Sequence, residues 1–507
     1  MRALVLAALV CTGCAAATPG DVADAAQQDA GSDAGADAGD AGIDAGDAGT
    51  DAGLDAGSDA GADAGTDAGD AGFASAAAPG IPCGDSLDSI YLTPTGLPPL
   101  SQDHLGDIVR CAPDAQLSTA DEASQLSGKG VMHVTPASAT HSFRLSYRTT
   151  RAEHIEGLGT ARVFLPQSQR STPLPIVVTA HGSDGLGTTC APSKDPTGNA
   201  ELSIPFASQG YAVIAPDYAG LGNDGTQGYL DNPDTAHSVL DAARALRKLI
   251  PGAFSNQIVL VGFSQGGGAV LSAQALARAY GADGDVVAVV VFAAQWQTRL
   301  DSFAYVQALS NPTELTILTG VSKPTVYVMR QYAWQMNHVG VTSGGAAFPA
   351  SNADNLEGAA QTQCLVAMGA SVQTFAPHVG DLFEPAFRTA LLACAQSSTS
   401  DPACTGNGRA FHEFLTENIL TADAAGAPIL YTQGLNDIVM DPAEEAACNL
   451  DKLRADGANV QVCVDSPAQH TDVVGRNVAS ALQWVEAKLA GTGAPACSAA
   501  GMPACKP

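Results

Sequence analysis

The chain has 507 residues and a formal net charge of −29, with 46% hydrophobic and only 15% charged residues. Its first 72 residues hold 14 acidic groups and one arginine, so the remaining 435 residues still carry −16. That acidic balance argues against nucleic acid as the ligand, and the length suits one large domain with an insertion, or two smaller domains.

At the N-terminus, Arg2 precedes the apolar run Ala3–Val10, too short to span a bilayer but sufficient for the core of a signal peptide. Cys11-Thr-Gly-Cys14 follows, and the Gly13-Cys14 junction resembles a bacterial lipobox, although Cys11 stands where an aliphatic residue is usual. Residues 1–17 therefore read as a signal segment with lipidation at Cys14, and ordinary cleavage after Ala17 is the alternative. From Asp29 to Gly72 the chain is almost entirely Asp-Ala-Gly triplets. Such a stretch cannot offset the roughly 1–2 kcal/mol per residue of backbone entropy that ordering costs. Residues 18–80 read as a disordered linker with a reach of about 40 Å. The expected protein is exported, either a membrane lipoprotein at the cell surface or in the periplasm, or secreted. Its expected membrane contact is the N-terminal lipid, because no later segment reads as a span.

Of the twelve cysteines, ten remain beyond Cys11 and Cys14, and an even number in an exported chain suggests up to five disulfides. No pair has the C-x2-C spacing of a zinc site, so no metal is expected. Close neighbours such as Cys394 with Cys404, or Cys497 with Cys505, are plausible pairs, but spacing alone leaves the connectivity open.

Residues 81–507 form the expected folded domain. Phe143–Tyr147 and Ala161–Leu165 read as leading strands, and Pro175–Ala180 is a continuous β-branched run that ends in His181-Gly-Ser-Asp184-Gly185. Runs of this kind suit strands buried on both faces of a parallel sheet. Tyr211–Pro216 is another, and Asp234–Ile250 has the apolar spacing of an amphipathic helix, stopped by Pro251-Gly252. The strand Gln257–Val261 runs into Gly262-Phe-Ser264-Gln-Gly266, after which small residues from Gly267 to Tyr280 read as a helix. Val286–Phe292 reads as a strand. The pattern then blurs until the strand Pro428–Gln433, the helix Glu444–Asp456, the strand Asn459–Val464 and the helix Asp472–Leu489. Strands alternating with helices mean a mostly parallel α/β sheet, with residues 297–427 inserted over one end. Residues 73–140 and the tail after Gly491 carry no readable signal beyond their cysteines.

Glycine-x-serine-x-glycine between a strand and a helix is the pattern of a nucleophile elbow, which points to an α/β-hydrolase fold. A serine hydroxyl needs a base and the base needs an orienting acid, which follow the serine in the order acid, then histidine, each on a loop after a strand. Asp437 lies four residues beyond the strand that ends at Gln433, and His470 lies after the next strand. Asp441, which precedes Pro442, reads instead as the start of a helix. Backbone N–H groups of Gln265 and of the loop His181–Gly185 are the expected oxyanion donors.

From about Phe143 to Leu489 the chain resembles the secretory lipase family. The resemblance rests on Cys190-Ala-Pro-Ser193, Gly210-Tyr211 before a strand and Asp217, Ala242-Ala-Arg-Ala-Leu246, Gly262-Phe-Ser264-Gln-Gly-Gly, Asp437-Ile-Val, Gly457-Ala-Asn459 and Ala468-Gln-His470. It implies a serine ester hydrolase, a lipase or carboxylesterase needing no cofactor, with the triad Ser264, Asp437 and His470. It places the oxyanion donors on Gln265 and Asp184 and a helical lid over roughly 297–427. It also implies a disulfide between Cys190 and Cys364 and points Cys448 toward the C-terminal tail, at Cys497, whereas the spacing around its helix and strand allows Cys463. The alternatives are an esterase acting on short-chain, polyester or carbohydrate-linked esters, or a surface binding protein that kept the fold without the chemistry.

Overall fold

In the computed structural model the described residues are 83–152, 155–168, 173–296, 311, 313, 322–339, 347–396 and 399–506. Cys14, the signal segment 1–17 and the linker 18–80 lie outside them, as does part of the 297–427 insertion. Among the described residues the strands are β1 (Ile108–Leu117), β2 (Thr140–Thr150), β3 (Glu156–Pro166), β4 (Leu174–Ala180), β5 (Ala212–Pro216), β6 (Phe254–Phe263), β7 (Asp285–Phe292), β8 (Ile429–Gly434) and β9 (Val460–Asp465). They form one nine-stranded sheet in the order β1-β2-β3-β5-β4-β6-β7-β8-β9. The pairings are antiparallel from β1 through β3 to β5, and parallel from β5 onward.

Strand periodicity explains why the β-branched runs are apolar throughout. Side chains alternate across a sheet, so Ile176, Val178, Ile258 and Leu260 enter one core while Val177, Val259 and Val261 enter the other. The first core is closed by α3 (Asn232–Leu249) and α4 (Gln265–Tyr280) through Val239, Leu246 and Val270. The second is closed by α2 (Ala200–Ala207) and the last helix, α11 (Val473–Leu489), through Phe206, Val478 and Trp484. Asp231 caps α3 by accepting from the Asp234 N–H, with Pro233 in the first turn.

Two elements of the stretch 73–140 had no sequence signal, β1 and α1 (Thr119–Gly128). Pro113 sits inside β1, which is tolerated because β1 is the sheet edge and its register shifts between Pro113 and Gln116.

Between β7 and β8 the described elements are helices: α5 (Ser322–Trp334), α6 (Ala353–Thr362), α7 (Leu365–Phe375), α8 (Pro385–Gln396) and α9 (Gly406–Glu417). They bury a separate apolar cluster around Trp334, Phe387 and Phe411, which Leu186, Tyr229 and Leu230 of the main domain join from below. No helix among the described residues is long and apolar enough to cross a membrane.

Among the described residues there are five disulfides: Cys83–Cys111, Cys190–Cys364, Cys394–Cys404, Cys448–Cys505 and Cys463–Cys497. Cys448 thus pairs with neither Cys463 nor Cys497, and Cys497 does not pair with Cys505. The path of the tail is the reason. It runs first along the edge strand β9, where Val464 N–H donates to the Ser498 carbonyl at 2.8 Å, which brings Cys497 to Cys463. It then reaches the turn before α10 (Ala447–Ala455), where Lys506 N–H donates to the Ala443 carbonyl at 2.9 Å and Cys505 meets Cys448. The tail therefore covers a sheet edge that would otherwise present unpaired backbone groups.

Candidate active site

Strand order reverses around β4, whose neighbours are β5 on one side and β6 on the other. In open α/β sheets such a switch point opens a crevice at the carboxyl ends of the strands. Ser264 stands there, between the end of β6 and the first residue of α4, with φ +53° and ψ −117°. A non-glycine residue is rarely left in this region, and here the surroundings enforce it. A Cβ at Gly262 would lie 2.1 Å from the Gly266 carbonyl oxygen, and one at Gly266 would lie 2.0 Å from that of Ala180. The glycines on either side are therefore required by close backbone approach. Ser264 N–H donates to the Phe292 carbonyl at 3.0 Å, which pins the turn to β7.

His470 Nε2 lies 3.0 Å from Ser264 Oγ, and His470 Nδ1 lies 2.8 Å from Asp437 Oδ2. Phe263 packs against the imidazole with ring centroids 4.8 Å apart. Asp437 is buried, and its Oδ1 accepts from the N–H groups of Val439 and Met440, each at 2.8 Å. Gln433 Nε2 donates to Asp437 Oδ2 at 3.2 Å and to the Met440 carbonyl at 3.0 Å, bracing the acid from the end of β8. Asp441 faces elsewhere: its Oδ1 accepts from Ala443 and Glu444 N–H at 2.8 and 2.9 Å, capping the following turn.

The loop after β4 carries Asp184. Its carboxylate turns back to buried His181, with Nδ1 to Oδ2 2.9 Å. Burial alone would lower the His181 pKa, but the bond and charge of Asp184 outweigh it and the net shift is upward. Its carbonyl accepts from Leu365 N–H at 2.9 Å, and Gly185 bridges to Cys364. With the Cys190–Cys364 disulfide, these contacts join the loop to α7. Gln265 is also buried, and its side-chain amide donates to Gln227 Oε1 at 3.0 Å.

Three further histidines have partners of their own. His237 stacks on Tyr280 at 4.0 Å, His338 pairs with Asp231 at 2.7 Å, and His378 pairs with Asp381 at 3.3 Å. Burial lowers the pKa of His412. Among the described residues no group of three or more His, Cys, Asp or Glu side chains is arranged to hold a metal ion.

Residues 199–298, which run from α2 through the serine turn to the end of β7, match the family model of the secretory lipases. Over that stretch the chain is similar to the secretory lipases, and its fold is that of an α/β-hydrolase. It is a carboxylic ester hydrolase of the lipase and esterase class. Among solved structures, the chain is similar to the rice cell wall degrading esterase LipA from Xanthomonas oryzae, at 20% identity and TM-score 0.55, covering 73% of this chain and 93% of that one. It is likewise similar to Candida antarctica lipase A, at 16% identity and TM-score 0.56, covering 82% and 90%. A putative hydrolase from Legionella pneumophila aligns at 18% identity and TM-score 0.56, covering 72% and 95%. At these identities the likeness is one of fold. No curated protein sequence matches the chain significantly.

Three groups around the site had no sequence signal: Gln433 behind the acid, Gln227 beside Gln265, and Tyr229, whose hydroxyl meets Ser183 Oγ at 2.8 Å. Each is an ordinary polar residue at a strand end or in a loop, and only the folded arrangement aims it at the site.

Proposed function

We propose that this ester hydrolase works through an acyl-enzyme on Ser264. Ser264 Oγ attacks the ester carbonyl carbon while its proton passes to His470 Nε2, and Asp437 holds the imidazole in the required tautomer and offsets its positive charge. The oxyanion so formed is stabilised by the N–H groups of Gln265 and Asp184, donors fixed before the reaction starts. The C–O bond to the alcohol breaks, and His470 returns the proton to the departing oxygen. A water deprotonated by His470 then attacks the acyl carbon, releasing the acid and restoring Ser264. The observation that carries this reading is the chain of 2.8 and 3.0 Å contacts from Asp437 through His470 to Ser264.

The substrate we propose is a lipid ester. Ile438, next to Asp437, is 86% exposed, and Val366, two residues past Cys364 on α7, is 78% exposed. Large apolar groups left in water beside a reaction site suit an apolar ester or a lipid surface. The helices between β7 and β8 act as the lid in this reading. The enzyme is exported and held to a membrane through lipidated Cys14, with the Asp-Ala-Gly stretch as tether. Hydrolysis of short-chain, polyester or carbohydrate-linked esters is the second reading, favoured by the likeness to a cell wall degrading esterase.

Two measurements test these statements. A fluorophosphonate probe should label Ser264 and no other residue, and an unlabelled wild-type protein would end the serine mechanism. A p-nitrophenyl ester series from acetate to palmitate should give the highest kcat/KM on the longer chains. A maximum at acetate would replace the lipase reading with the second one.

A further inference from the structure

Gln227 lies in the loop between β5 and α3, is fully buried, and belongs to neither the triad nor the oxyanion donors. Both ends of its side-chain amide are occupied. Oε1 accepts from Gln265 Nε2 at 3.0 Å, and Nε2 donates to the Gly185 carbonyl at 2.7 Å. These two partners sit on the two separate arms of the oxyanion hole proposed above: Gln265 directly follows Ser264, and Gly185 directly follows Asp184. Gly185 has φ +120°, and a Cβ there would lie 2.9 Å from the Cys364 Cα, so this position can be braced only through its main chain.

The bridge itself is anchored from the helical insertion. Asn337, in the turn after α5, donates through Nδ2 to the Gln227 carbonyl at 3.3 Å. Arg151 Nη2 donates to Asn337 Oδ1 at 3.0 Å and to the Thr226 carbonyl at 2.9 Å, fixing the backbone from which Gln227 reaches.

We infer that Gln227 is a positioning residue that sets the separation of the two oxyanion donors, with Asn337 of the insertion holding it in place. The inference rests on the proposed serine mechanism. Oxyanion donors act only when they lie about 2.7–3.1 Å from the place where charge develops, and a misplacement of about 1 Å can cost on the order of 10²-fold in rate. A bridge bonded to both arms prevents such drift without touching the substrate.

The experiment compares wild type, Gln227→Leu, Gln265→Leu and the double variant in the full-length protein, with p-nitrophenyl butyrate as substrate. Rates are normalised to active sites titrated to completion with a fluorophosphonate. Gln227→Leu should lower kcat per titrated site by about 10- to 100-fold while KM stays within about twofold, because the loss falls on the transition state. Since both leucines break the same bridge, the second should cost little once the first is present. A kcat per titrated site unchanged in Gln227→Leu, or losses that simply multiply in the double variant, would overturn the inference. A purely structural role would lower the number of titratable sites instead. Should leucine reduce the folded yield, Gln227→Met fills the volume without hydrogen bonds and is judged by the same criteria. Wild type that fails to label at Ser264 would defeat the serine mechanism itself, whereas labelled wild type with an unaffected Gln227→Leu defeats only the positioning role.

Discussion

His470 Nε2 sits 3.0 Å from Ser264 Oγ although 206 residues separate them along the chain. The two meet because β6 and β9, with β7 and β8 between them, run parallel and deliver their following loops to the same end of the sheet. The consequence for the serine is direct. Ser264→Ala should reduce ester hydrolysis by about 10⁶-fold while leaving the circular dichroism spectrum and thermal midpoint close to wild type. A variant that keeps a tenth of wild-type activity would sink the assignment.

Asp437 accepts two backbone N–H groups on Oδ1 and the imidazole on Oδ2. Asp437→Asn keeps the shape but presents an amide where His470 needs an acceptor, which favours the wrong tautomer. A fall of about 10⁴ in kcat is expected. Asp441→Asn, which alters only a helix cap, should stay within about threefold of wild type, and a larger loss there than at Asp437 would reverse their roles.

Cys190 and Cys364 close a loop of 174 residues and hold the Asp184 segment against α7. Replacing both by serine should lower stability by about 5 kcal/mol if loop entropy dominates. Denaturant melts of the two forms measure this. Non-reducing peptide mapping that joins Cys190 to any other cysteine would remove the basis for the comparison.

Glu122 on α1 is fully buried, and burial pushes its pKa from the ordinary 4.5 to about 8, with the nearby Thr140 hydroxyl offsetting part of the rise. Between those values the unfolded chain has released the proton and the folded protein has not, so stability falls as pH rises from about 4.5 to about 8. Glu122→Gln should flatten that part of the curve. Thermal midpoints of both proteins across the range give the comparison, and parallel curves would contradict the shift.

Tethering through Cys14 requires that Cys14→Ala move the enzyme from the membrane fraction to the soluble one, since two or more acyl chains anchor firmly where one is marginal. Wild-type protein found entirely in the medium, with its N-terminus at Thr18 or beyond, would exclude the tether.

The parallel core strands, the serine turn and the proposed chain order of acid and base were all legible in the amino-acid sequence. These depend on local patterns: β-branched runs long enough to be buried on both faces, glycines where Cβ atoms cannot fit, and polar loops directly after strands. Features that depend on the path of the chain through space were not legible there. The strand β1 was hidden because Pro113 and Asp114 interrupt its pattern, which an edge position tolerates. The partners of Cys448 and Cys463 were hidden because the tail meets β9 before it reaches the turn ahead of α10. Gln227 and Gln433 carry no sign of a role in sequence, since an amide acquires one only from the donors and acceptors that folding places at both its ends.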